Sequence, residues 1–418
     1  MINKRVAMAG LAFGLLVAGC SGGDESEASN GSSGLAYVPE ETTTLPPTEA
    51  DEQDTSGSLN NSDAGATTAL AEATETDSVT TTTVGSGLAP VTTIAGSGGG
   101  DPDGIYRGII GGLAPDEVVV ARASPPPQVG PDVMPLSGVT GSVPARPAAV
   151  VKVDNGAASA PHTGLNAADI VIEEEVEGGV TRFAAVFHST STIVGPVRSG
   201  RTTDVALISG LGTPLLMYSG ANDITEAILR AQPTIQNRSE ATSSGYWRDD
   251  QRRAPSNLYT DTAPHWASAA GGAPPAQFVY RSAGGPVPGA GSTEFTVSYG
   301  ASNVRWEWNG TIWQRWQRGP AHKLVSGQQV NAANVVVIEA ERVDTGMVDG
   351  AGGIVPEFPF VGTGRATVYT EGKRIEGTWT RSSLNSVATL THAPGEPIEL
   401  TPGRTWIQLI EAGSGALR

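Results

Sequence analysis
The chain has 418 residues, with 26 Lys and Arg against 43 Asp and Glu, for a formal net charge of −17. Fifteen of the acids and none of the bases lie between Ser21 and Gly104, so that beyond Gly104 the chain holds 28 acids and 24 bases. The acidity describes one segment, and a nucleic-acid role by global charge is excluded.

Lys4 and Arg5 precede an apolar run, Val6 to Ala18, which ends Val17-Ala18-Gly19-Cys20. A basic start, a short apolar run and small residues make the pattern of a secretory leader. The run is shorter than the ~20 residues of a membrane-spanning helix. Small residues directly before Cys20, the chain's single cysteine, predict a lipoprotein signal peptide over 1–20 and acylation of that thiol. Two or three acyl chains anchor stably where one is marginal. The expected location is the extracytoplasmic face of the cell membrane, with the membrane as a partner through the lipid. No thiol then remains for a disulfide, a nucleophile or a metal.

Residues 21–134 read as a disordered acidic tether rich in Ser, Thr, Gly and Pro, because such composition cannot bury enough apolar surface to offset ordering. As a flexible coil, the first ~85 of these residues reach on the order of 50 Å.

The core is expected to begin with a strand over 148–153, closed by the turn Asp154-Asn155-Gly156. Residues 169–177 and 180–188 read as a hairpin around a two-residue loop, Gly178-Gly179. That loop places Glu175 opposite Arg182, with Glu173 and Glu177 on its diagonals, and sets Ile170, Ile172 and Val176 on a face with Phe183, Ala185 and Phe187. Glu174 is then a misfit, an acid on the apolar face. Gly195 to Arg201 leads into a helix over 203–211 stopped by Gly212. A strand over 215–218 and a second helix over 224–231 follow, the latter capped by Asn222 or Asp223. From about 276 the pattern turns to strands. Asn309-Gly310 marks a hairpin pairing Trp306 with Trp313, a strand runs over 334–340, Glu371-Gly372 marks another hairpin, and a last strand covers 406–410. The predicted class is α+β: an N-terminal domain over 135–280 with a mixed sheet and flanking helices, then a mostly β domain over 281–418.

His162, His188, His265, His322 and His392 are scattered without metal-ligand spacing, and no nucleophile elbow or phosphate loop is present, so no metal and no cofactor is expected. Glu173, Glu175 and Glu177 repeat as carboxylates on one strand face should, and paired carboxylates serve glycosidic acid–base chemistry. Pairing across the hairpin to Arg182 explains them more simply. Arg198 and Arg201 precede a helix start, where anions are favoured, and guanidinium forks suit carboxylate or phosphate.

The segments RPAAVVKVDN, GLNAADIV, EGGVTRFAAVF, GPVRSGR and RRAPSNLYT, in this order, resemble the YerB-like lipoproteins (domain of unknown function 3048). NAANVVV, GTGRATVY, GKRIEGTW and IELTPGRTWIQL resemble the C-terminal domain of the same family, and the resemblance covers about 145–411. It implies a lipid-anchored extracytoplasmic protein with two adjoining domains and no established activity. Asp154, Asn155, Glu173, Glu177, Gly178, Gly179, Arg182, Arg198 and Arg201 match the family pattern. Glu174 and Glu175 stand where the family has apolar residues, and Pro255-Ser256-Asn257 where it has Pro-His-Asn. The expected function is a non-catalytic envelope module that binds a protein partner or an anionic wall ligand through Arg182, Arg198, Arg201, Asp154, Asn155 and Asn257. The alternative is an envelope hydrolase using Glu173 and Glu177, with Asp154.

Overall fold
Apolar alternation on both sides of a backbone can be satisfied only by a sheet covered on both faces, and the central strands of this chain form one. The computed structural model describes residues 126–418 apart from 283, 350, 351, 393 and 394. The signal peptide with Cys20, and the tether as far as residue 125, lie outside the described residues.

In chain order the elements that matter are β1 (Ala149–Asp154), β2 (Ile170–Glu175), β3 (Thr181–Phe187), helix α1 (Thr203–Ile208), β4 (Leu215–Tyr218), helix α2 (Asp223–Ala231) and β5 (Gln236–Ser239). β6 (Tyr246–Arg248) and β7 (Leu258–Asp261) follow. Then come β8 (Glu294–Tyr299), β9 (Ser302–Trp308), β10 (Trp313–Gln317), β11 (Asn334–Ala340), β12 (Ile354–Glu357), β13 (Gly362–Thr370), β14 (Lys373–Arg381), β15 (Thr389–His392) and β16 (Thr405–Glu411). The region 136–273 thus mixes helices and strands and the region 295–407 is mostly β, as the α+β expectation required.

The main sheet runs β15-β14-β13-β11-β16-β2-β3-β1-β4-β5. It crosses the expected boundary at 280/281, because β16 lies parallel between β11 and β2. Its first face packs Val150, Ile170, Ile172, Ala184 and Val186 against Val205 and Ile208 of α1. Its second packs Val151, Val171, Phe183, Ala185 and Phe187 against Phe295, Trp306 and Trp313 of the separate β8–β9–β10 sheet. Fully burying each such side chain contributes about 1.5–3 kcal/mol. The expected cap of α2 is present, with Asn222 Oδ1 accepting the Thr225 N–H at 2.7 Å.

Two registers differ from expectation. In the β2–β3 hairpin Glu174, not Glu175, lies opposite Arg182, and Glu175 faces Thr181. The turn has three residues, Glu177-Gly178-Gly179, closed by Val176 N–H on the Val180 carbonyl at 2.8 Å, with both glycines at φ 70. One extra loop residue inverts every side chain relative to the partner strand. Ile170 and Ile172 therefore share a face with Ala184 and Val186, while Phe183, Ala185 and Phe187 line the other. The β9–β10 hairpin pairs Trp308, not Trp306, with Trp313, and Trp306 with Arg315. Its loop is longer because Asn309 Oδ1 accepts the N–H groups of Thr311 and Ile312, at 3.0 and 2.9 Å, and so draws both into the turn.

Candidate functional site
The corrected register gives the misfit acid its partners. Lys152, in the middle of β1, is as much out of place in an apolar strand as Glu174 is, and both side chains are without solvent access. They are hydrogen-bonded to each other, and Lys152 Nζ also donates to Asp204 Oδ1 of α1 at 2.5 Å. Burial pushes the Glu174 carboxyl above its usual range, against the pull of Lys152. The other Asp204 oxygen accepts the Arg201 backbone N–H at 2.7 Å, which joins the helix start to the sheet.

Arg201 in turn pairs with Glu177 of the glycine turn, Nη2 to Oε2 at 2.6 Å. Arg182, on β3 opposite both Asp154 and Glu174, is only 7% exposed. Its Nη1 donates to the Ser199 carbonyl at 3.1 Å, and its Nε is buried with no hydrogen-bond partner among the described residues. Burial, then the neighbouring Arg201 guanidinium, pulls Arg182 down to about 10. Arg198 Nε lies 3.9 Å from Asp154 Oδ2, and its side chain is 31% exposed, the most open of the three. Asp154 is held by Ser256 Oγ at 2.8 Å and by the Gly156 N–H at 3.1 Å. Three guanidinium groups thus gather around Asp154 and Glu177 beside the Lys152, Glu174 and Asp204 group, and two of them, Arg182 and Arg198, have no carboxylate within hydrogen-bond distance among the described residues. Planar donor forks left without a carboxylate, in a partly desolvated place, suit an incoming carboxylate or phosphate.

The structure does not bring Asn155 and Asn257 to these arginines. Asn155 turns to the second face of the sheet, where its Nδ2 donates to Thr181 Oγ1 at 2.6 Å and its Oδ1 accepts from Gln317 at 2.7 Å. Asn257 Oδ1 accepts from Arg248 at 3.0 Å within the β6–β7 segment. Its neighbour Ser256 is the residue that reaches Asp154.

Glu173 and Glu177, the pair of the hydrolase alternative, are both committed to arginines. Glu173 is fully enclosed, receiving two hydrogen bonds from Arg315 Nη2 at 3.0 and 2.8 Å, one from Thr181 at 2.8 Å and one from Gln408 at 3.0 Å. Arg315 also donates to His322 Nδ1. His322 Nε2 meets His162 Nδ1 at 2.8 Å, and His162 Nε2 meets the Asp154 carbonyl at 2.7 Å. A guanidinium only donates and a carbonyl only accepts, so both rings carry their proton on Nε2 and remain neutral. Burial lowers His162 to about 4 and takes His322 well below its ordinary value.

Lys152, Arg315, Ser256 and Glu357 are the residues that sequence reasoning missed. Glu357, at the end of β12, accepts from Thr202 and Thr203 on one oxygen, while the other is buried with no hydrogen-bond partner among the described residues. Burial raises it to about 8. One signal was present: Lys152 and Glu174 are opposite charges inside two apolar strands, β1 and β2, that flank β3, and each is costly unless it finds a partner. Among the described residues no group of three or more His, Cys, Asp or Glu is placed to hold a metal.

Comparison with known proteins places this geometry in context. The family described as "Protein of unknown function (DUF3048) N-terminal domain" matches residues 136–273, and its C-terminal domain matches 295–407. The chain is 28% identical over 283 residues to "Putative lipoprotein YerB" of Bacillus subtilis (strain 168), covering 63% of this chain and 81% of the relative. The crystal structure of the YerB protein from Bacillus subtilis shares the fold, with a TM-score of 0.57 and 23% identity over 68% of this chain and 98% of that one.

Proposed function
The chain belongs to the DUF3048 family of proteins of unknown function, and from that premise we propose a non-catalytic, lipid-anchored module of the cell envelope that binds an anionic group of a wall ligand or protein partner at Arg182, Arg198 and Arg201. The observation that carries this reading is that two of the three guanidinium groups have no carboxylate at hydrogen-bond distance among the described residues. Arg182 donates to a carbonyl rather than a carboxylate, and Arg198 stands 3.9 Å from its nearest acid with its side chain open to solvent. The anchor rests on the residues around Cys20 and is supported by the lipoprotein description of the Bacillus relative. The division into a part over 135–280 and a part over 281–418 belongs to the same proposal.

Calorimetric titration of the purified chain with inorganic phosphate tests the site. Saturable binding that weakens about tenfold or more, ~1.4 kcal/mol, in Arg198→Ala is expected, with an unchanged melting temperature. Saturable binding indifferent to Arg198→Ala, or no binding at all, would overturn the reading.

A further inference from the structure
Beside the arginine site lies a cleft of about 370 Å³, bounded by Ala157 and Pro161 on one side and by Arg318, Pro320, Ala321 and Lys323 on the other. None of its lining residues is acidic. Neither Arg318 nor Lys323 makes an ion pair among the described residues. Arg318 Nη2 donates to the Asn155 carbonyl at 2.6 Å, and Arg318 holds a left-handed backbone, φ 53, at the end of β10. For a residue other than glycine that conformation is uncommon.

The cleft and the arginine site both border the end of β1. Arg198 approaches Asp154, Arg318 grips the next residue, Asn155, and Arg252 clasps the carbonyls of Ala158, Ser159 and Pro161 at 3.1, 2.7 and 2.9 Å. Arg198 and Arg318 thus reach two consecutive residues, one through the Asp154 carboxylate and the other through the Asn155 carbonyl. Walls of Ala and Pro exclude water and focus the field of these cations. A ligand carrying one anion would leave one of the two places empty, whereas a chain of anions fills both and gains from the second as an intramolecular event.

We propose that the cleft and the arginine site together bind a linear polyanion, with phosphate or carboxylate groups repeated along its length. This inference rests on the anion reading of Arg182, Arg198 and Arg201. The test titrates the full-length chain at constant ionic strength with inorganic phosphate, linear polyphosphate and poly-L-glutamate. At least one polymer binds about tenfold or more tighter than phosphate. Arg318→Gln and the exposed Lys323→Gln each weaken the polymer several-fold and leave phosphate unchanged, while Arg198→Ala weakens both. A preference for polyphosphate or for polyglutamate names the anionic group. Polymer binding that neither Arg318→Gln nor Lys323→Gln alters, with phosphate still sensitive to Arg198→Ala, overturns the extended site alone. Failure of every probe to bind overturns the anion reading beneath it.

Discussion

Glu173 and Arg315, 142 residues apart in the chain, meet with both side chains fully buried and two hydrogen bonds of 3.0 and 2.8 Å between them. Taking two such charges out of water is costly, and their attraction repays the cost only while both are present. Arg315→Met therefore leaves Glu173 unpaired among Thr181 and Gln408, and is expected to cost about 3–5 kcal/mol. Urea unfolding measures it. A loss below ~1 kcal/mol would mean that the pair is not what joins β2 to β10.

Acid should weaken the same region. His162 is lowered to about 4, and its ordinary value is 6.5. Between those values the unfolded chain binds a proton that the folded chain refuses, so stability falls as pH drops from 6.5 through about 4. His322, lowered well below its ordinary value by burial and by Arg315, acts with the same sign. His162→Gln, which titrates nowhere in this range, is expected to flatten the profile of melting temperature against pH. A variant profile parallel to that of the parent would sink the assignment.

Glu357 imposes the opposite slope. Its folded value of about 8 exceeds the ordinary 4.5, so the folded chain keeps a proton that the unfolded chain has released. Stability is thus expected to decline as pH rises from 4.5 through about 8. Glu174, also raised by burial, contributes in the same direction, so the useful comparison is between parent and variant. Glu357→Gln keeps the neutral shape, and its unfolding midpoint should drop less between pH 6 and pH 9. An equal drop in both proteins would contradict the protonated carboxyl.

The lipid anchor is tested in the producing cell. Cys20→Ser removes the single thiol, and the chain is expected to move from the membrane fraction to the soluble one. Retention equal to that of the parent would rule out acylation at Cys20 as the attachment.

Length, composition and local pattern were enough to read the α+β class, the β2–β3 and β9–β10 hairpins, the α2 cap at Asn222 and the family. Each of these depends on residues a few positions apart, where backbone periodicity and turn chemistry act. Register was not legible in the same way. Whether Gly178 and Gly179 make a two-residue loop or take Glu177 into a three-residue turn is a matter of a few kcal/mol of packing on both faces, and it decides that Glu174 rather than Glu175 meets Arg182. The arginines around Asp154 could be suspected because Arg198 and Arg201 are close in the chain. The partners of Glu173 and His162 could not, since Arg315 and His322 arrive on β10 and the turn after it, more than 140 residues downstream. Such contacts follow from closing the sheet through β16 and stacking β8–β10 upon it, and burial makes them obligatory: a charge or an imidazole enclosed there must find a partner wherever the chain provides one.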